Sequence, residues 1–126
     1  MGAGFMGQLH AEAIASVEGA TLAVVVDPEP AARAVADRHG ARWARELDDV
    51  LLDPEAVDGF IVALPDRHHV DTAVAVLEVG GRMLLEKPLA DTLAGAQRIA
   101  RAERAGGGRL LAGHILRHDP RYAAAA

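Results

Sequence analysis

At 126 residues, 51% of them hydrophobic and 25% charged, the chain has the length of one domain and enough apolar side chains for a packed core, which excludes global disorder. A formal net charge of −5 argues against nucleic acid as a partner, and the absence of cysteine removes disulfides and thiolate metal sites. The longest run of large apolar residues, Leu22 to Val26, is too short to cross a bilayer and no charged-then-apolar leader opens the chain, so a cytoplasmic location without membrane contact is expected.

In chain order the first feature is a loop. Gly2-Ala3-Gly4-Phe5-Met6-Gly7 fits G-x-G-x-x-G and runs into a helix expected from about Met6 to Glu18, closed by Gly19. Gly2 permits a tight turn, Gly4 lets the backbone approach a pyrophosphate, and Gly7 lets the helix pack closely. The helix start offers free N–H groups and a partial positive charge to phosphates, which makes Gly2, Gly4, Phe5, Met6 and Gly7 candidate cofactor-binding residues. A strand follows at Leu22–Val26 and ends on Asp27, 20 residues past Gly7. An acid there accepts hydrogen bonds from both ribose hydroxyls of an adenosine and repels a 2′-phosphate, which favours NAD, with NADP the second choice. The plainer alternative for Asp27 is a turn residue before Pro28.

Beyond that point helices and strands alternate. Pro30 suits an early helical position, and that helix ends at Gly40. A weaker strand lies around Arg42–Trp43, then a short helix through Leu47, Val50 and Leu51 that Asp53-Pro54 stops. Gly59–Leu64 reads as a strand, Val70, Ala73, Val74 and Leu77 as a helix ended by Gly80-Gly81, and Met83–Leu85 as a strand. Asp91 can cap the helix carrying Leu93, Ala96, Ile99 and Ala100, which Gly106 to Gly108 terminate before a last strand at Leu110–Ala112. This alternation means right-handed crossovers, and the continuous apolar strands fit a parallel sheet covered on both faces. The fold class is α/β, a doubly wound, Rossmann-like parallel sheet.

One expected part is missing. The fingerprint should follow a strand, yet only Met1 precedes Gly2. Its loss would open a gap between the strands at Leu22–Val26 and Gly59–Leu64. Burying about five strand side chains contributes roughly 10 kcal/mol, as much as the net stability of an ordinary domain. The chain is therefore expected to be a fragment of a longer product and poorly stable alone.

The later strands carry more specific residues. Ligands of doubly wound sheets bind beyond the carboxyl ends of the strands, which puts Leu64, Pro65 and the following turn beside a bound nicotinamide. Met83–Leu85 delivers Glu86-Lys87-Pro88 to the same edge. Lys87 is the single lysine beside 12 arginines, and only lysine readily loses its proton when desolvated. At a strand end it is placed to hydrogen-bond a reacting hydroxyl or carbonyl oxygen; its alternative is a solvated strand-end charge.

Together, Gly2–Gly7, Asp27, Pro65 with His69 four residues on, Glu86-Lys87-Pro88-Leu89, and Gly113-His114 followed by Arg117 and Pro120 resemble the N-terminal half of the Gfo/Idh/MocA oxidoreductases. That family includes glucose–fructose oxidoreductase and inositol dehydrogenases. The resemblance covers essentially the whole chain, and Glu-Lys-Pro after a strand is its most specific element. It implies a domain that binds NAD or NADP, with Lys87 assisting hydride transfer at a sugar or cyclitol carbon. Glu86 and Lys87 would lie near the nicotinamide ribose, Pro65 and His69 would line the cofactor cleft, and Arg117 would be a further cofactor contact. It also implies a second α/β domain that holds the substrate and usually supplies a catalytic histidine and a subunit interface, hence a homo-oligomer. Residues 1–118 would form the dinucleotide-binding domain and 119–126 the start of the second. His118 departs from the pattern, standing where an aromatic often follows the arginine.

The other histidines have plainer readings. His10 reads as a packing or surface residue of the first helix, and His39 as a group at a helix terminus. His68 and His69 could bind a metal, yet no third ligand lies at a convincing spacing, and no metal is expected. Asp48-Asp49 reads as a solvated face. Two other functions compete with the oxidoreductase: a dinucleotide-binding module without catalysis, and a methyltransferase using S-adenosylmethionine. Glu-Lys-Pro and the Pro65 turn disfavour the methyltransferase.

Overall fold

The computed structural model describes residues 1–53 and 56–124. Its helices are α1 (Phe5–Ser16), α2 (Arg33–Arg38), α3 (Asp48–Leu51), α4 (His69–Glu78), α5 (Leu93–Gly106) and α6 (Pro120–Ala123). Its strands are β1 (Val24–Val26), β2 (Arg42–Ala44), β3 (Phe60–Val62), β4 (Arg82–Leu85) and β5 (Arg109–Ala112). Pro30 opens a 3-10 turn, Pro30–Ala32, that leads into α2. Thr92, not Asp91, caps α5. Its hydroxyl accepts from the Gly95 N–H at 3.1 Å, because Thr92 is the last extended residue and Asp91 lies one step too early. Gly107, left-handed at φ 74°, ends that helix. Pro54, expected to stop α3, lies outside the described residues.

All strand pairs are parallel, but they form two sheets, β1-β2 and β3-β4-β5. Between them the main chain is reduced to Met1 and Gly2. The Met1 ammonium donates to the Ile61 carbonyl at 2.6 Å, and the Met1 carbonyl accepts from the Ala63 N–H at 2.9 Å. On the other side the Gly2 N–H donates to the Val26 carbonyl at 2.9 Å. Below this bridge a slot of about 100 Å³ runs between Val24 and Val26 on one side and Phe60 and Ile61 on the other. The gap expected beside the glycine loop is present, joined only at its carboxyl end. β1 and β3 are shorter than their apolar runs, and among the described residues no strand pairs with the edges they turn toward each other below Met1. Burial of the Met1 amine lowers its pKa to about 6, against an opposing pull from Asp27.

The expected two-sided burial holds on one face only. Phe60, Val62, Met83 and Leu85 are buried in a core with Val70, Ala73, Val76 and Leu77 of α4 and Ile99 and Ala102 of α5. A smaller core gathers Ala11 of α1, Val25, and Val35 and Ala36 of α2. On the opposite face of the larger sheet, Ile61 and Leu84 are half-buried and Leu111 is 52% exposed. Burial there alternates with period two because, among the described residues, α1 packs on this sheet chiefly at β3.

Candidate functional site

The glycine loop sits where the two sheets meet. A Cβ on Gly2 would lie 2.5 Å from the Ala63 carbonyl oxygen, and its φ of 81° suits glycine alone. A Cβ on Gly7 would lie 1.8 Å from the Gly2 carbonyl oxygen, so α1 packs directly on the turn. A Cβ on Gly4 would meet nothing within 4 Å. Gly4 is also the N-cap of α1, and no side chain caps that helix start. An open glycine before an uncapped helix fits a diphosphate approaching the backbone. Phe5 is 78% exposed, and Met6 beside it is also exposed, at the mouth of the loop.

Asp27 braces this loop as well as facing it. One carboxylate oxygen accepts from the Ala3 N–H at 2.8 Å, the other from the Glu29 N–H at 2.9 Å. Its turn role before Pro28 is therefore real, and so is a bond into the glycine loop 24 residues back. Each oxygen keeps a lone pair for a further donor. The Trp43 indole N–H donates to the Asp27 carbonyl at 3.0 Å, fixing the strand end from β2.

On the larger sheet, the ends of β3 and β4 are held together by two histidine contacts. His69 is 1% exposed. Its Nε2 lies 2.8 Å from the Leu64 carbonyl oxygen and its Nδ1 2.7 Å from that of Pro88. A neutral ring donates to one of them at a time, a protonated ring to both. His69 thus stands behind the cleft wall and fastens the backbone of Leu64 and Pro88, while the Pro65 side chain is exposed. Its burial means that it does not line the cleft with its ring, as the resemblance implied. The Lys87–Pro88 peptide is cis.

Glu86 continues β4. Its N–H donates to the Val62 carbonyl at 3.0 Å, and its carboxylate is buried, the residue being 5% exposed. Oε1 lies 2.7 Å from His10 Nε2 on α1, and Oε2 accepts from the Lys87 N–H at 3.3 Å. Lys87 itself is exposed. The expectation that His10 only packs or faces solvent fails, because it reaches across to the strand that carries the lysine. Its spacing was a usable signal: His10 lies three residues past Gly7, on the helix face that Gly7 turns toward the loop.

The structure thus gathers Gly2, Gly4, Gly7, Asp27, Leu64, Pro65, Glu86 and Lys87 at the carboxyl edge. Arg117 is exposed in the 3-10 turn Ile115–His118, and its guanidinium makes no hydrogen bond or ion pair among the described residues. Likewise among them, no three acidic or histidine side chains converge as a metal site, and no helix is long and apolar enough to cross a membrane.

Residues 1–114 match the model of an oxidoreductase family, NAD-binding Rossmann fold. The chain belongs to the Gfo/Idh/MocA oxidoreductase family. Within that family it is 40% identical to inositol 2-dehydrogenase 1 of Saccharopolyspora erythraea, over 97% of this chain and 37% of the relative. Inositol 2-dehydrogenase of Paracoccus denitrificans is 37% identical over 98% of this chain and 38% of its own length. GenD2 from gentamicin A biosynthesis, solved in complex with NAD, superposes with a TM-score of 0.91 at 34% identity, covering 98% of this chain and 36% of that one. The chain therefore spans a little over a third of the length of these Gfo/Idh/MocA proteins, and what it represents of them is the NAD-binding Rossmann fold.

Proposed function

We propose that the chain forms the NAD-binding half of an oxidoreductase that moves hydride between the nicotinamide and a secondary alcohol of a sugar- or cyclitol-like substrate. The observation that carries this reading is the open Gly4 at an uncapped helix start, on the same sheet edge as Lys87. Gly2, Gly4, Phe5, Met6 and Gly7 would hold the diphosphate. The free lone pairs of Asp27 would take the adenosine ribose hydroxyls and disfavour a 2′-phosphate, so NAD is preferred to NADP. Leu64 and Pro65 would wall the nicotinamide end, with Glu86 and His69 supporting them from behind. Arg117 would be a peripheral cofactor contact.

When bound, the nicotinamide supplies the hydride chemistry. Lys87 would hydrogen-bond the substrate oxygen and hold it in place as its proton leaves to a base, directly or through the amine itself. That base, the substrate pocket and a subunit interface of a homo-oligomer would come from a second domain, beginning at residues 119–126. The names of the inositol 2-dehydrogenase relatives support the substrate class. A cytoplasmic site of action belongs to the same reading.

The direct test is cofactor titration of the chain, read by energy transfer from Trp43, its single tryptophan, to the reduced nicotinamide. NADH should bind about tenfold or more tightly than NADPH, the effect of about 1.4 kcal/mol or more of repulsion at Asp27. Equal affinities remove the Asp27 assignment, and no binding of either removes the reading. For Lys87, the chain replaces the matching third of the Saccharopolyspora erythraea relative. Lys87→Ala in that chimera should cut turnover with myo-inositol and NAD by about a hundredfold or more while cofactor affinity changes little. Unchanged turnover makes Lys87 a solvated surface charge.

A further inference from the structure

We infer that the His10–Glu86 pair is a positioning latch that ties Lys87 to the phosphate-binding helix, so that cofactor binding on α1 and placement of the lysine on β4 are one event. The inference rests on the proposed NAD site and deepens it. It starts from a carboxylate where none is needed for packing. Glu86 ends a buried strand whose preceding residue, Leu85, is fully buried in the core. An ionised carboxylate is costly in such a place unless every oxygen is partnered, and an apolar residue of similar size would stabilise the strand as well or better. A buried carboxylate with both oxygens partnered points to a positional task.

The geometry supplies that task. Oε1 takes His10 Nε2 at 2.7 Å, across 76 residues of sequence, and Oε2 takes the Lys87 N–H at 3.3 Å. An ionised carboxylate only accepts, so in that state the hydrogen of the contact belongs to His10 Nε2. A hydrogen bond to a charged group is roughly twice as strong as a neutral one, enough to hold both ends in register. The room for the carboxylate comes from the turn just past β5. A Cβ on Gly113 would lie 3.1 Å from Glu86 Oε2 and 3.2 Å from Glu86 Cα.

Each end of the latch leads to one part of the site. His10 is on α1, one turn past Gly7, so it sets the rotation of the helix whose first amides face the diphosphate. Lys87 follows Glu86 directly, so the carboxylate that His10 holds also holds the lysine backbone. His10 is thus a positioning residue, not a catalytic one.

The test uses the 126-residue chain and the fact that Lys87 is its only lysine. Reductive methylation of the folded chain with ¹³C-formaldehyde labels the exposed Lys87 Nζ, and any label on the buried Met1 α-amine separates by its resonance. In the wild type, saturation with NADH should shift the Lys87 resonance. His10→Leu removes the donor. His10→Asn, polar but too short to reach Glu86, serves if the leucine variant folds poorly. Either should weaken NADH binding about tenfold and abolish the Lys87 shift at saturation, whereas His10→Gln, whose amide reaches the same point, should restore both. Variants that lower only the melting temperature, with NADH affinity and the Lys87 shift unchanged, overturn the latch and leave a mere brace. A wild type that binds no NADH overturns the site itself, and the latch with it. The two failures appear in different proteins.

Discussion

The two ends of the larger sheet contrast sharply in what they offer a ligand. At the amino ends of β3, β4 and β5 lies an open cavity of about 860 Å³, lined by residues such as Ile14, Ile61, Leu84 and Leu111, with Arg82 and Arg109 among its polar members. At the carboxyl ends there is less enclosed volume but a set of interlocked polar contacts: Asp27 to Ala3, His10 to Glu86, His69 to Leu64 and Pro88. Volume alone would choose the amino edge. Convergent, partnered polar groups and a free helix start choose the carboxyl edge, because those features orient a charged cofactor and an apolar sheet face does not. The large cavity follows instead from the uncovered face of the sheet.

The contrast can be broken most forcefully with glycines. Gly7→Ala forces a methyl against the Gly2 carbonyl and should cost about 3 kcal/mol of stability, with loss of measurable NADH binding, as read by urea melts and titration. Gly59→Ala, at the amino edge, meets nothing closer than 3.4 Å and should leave NADH affinity unchanged. Next in size is the seam between the sheets. Burial lowers the Met1 amine to a pKa of about 6 in the folded chain from the 8.0 of a free α-amine, so between those pH values the unfolded chain holds the extra proton. Stability of this chain should therefore rise from pH 6 to pH 8, by up to about 2–3 kcal/mol, and level off above; a flat or falling profile contradicts the burial of that amine.

Asp27→Ala removes an acceptor from both the Ala3 and the Glu29 amides and should cost about 2 kcal/mol, while erasing the preference for NADH over NADPH. Retained preference assigns the selection elsewhere. Smallest of all, Leu111→Ser on the open face should change stability by no more than about 0.5 kcal/mol and leave cofactor affinity alone. A strong effect there would mean that the uncovered face matters to binding.

Much of this arrangement was legible along the chain. The parallel α/β alternation, the helix stops at Gly40, Gly80 and Gly107, and the interruption beside Gly2 all follow from local chemistry, whereas α1 ends at Ser16, short of the stop expected at Gly19. So do the loop, Asp27 and Glu86-Lys87, whose spacing is dictated by one strand and one turn. Two-sided burial was not legible, because apolar runs such as Met83–Leu85 look the same whether their second face is covered or not. Thr92 and Asp91 are equally good caps by residue type, and only backbone geometry separates them. The inward turn of His69 and the His10–Glu86 contact depend on which strand ends become neighbours, so distance along the chain hides both.

The central claim is that the cofactor lies at the carboxyl edge, across the start of α1 and toward Lys87. Backbone amide shifts of the ¹⁵N-labelled chain on saturation with NADH test it most directly. The largest changes should fall on Ala3 to Gly7, Asp27, Leu64 and Lys87. Changes gathered instead on Ile14, Thr21, Leu84 and Leu111 would place the ligand in the amino-edge cavity and contradict it.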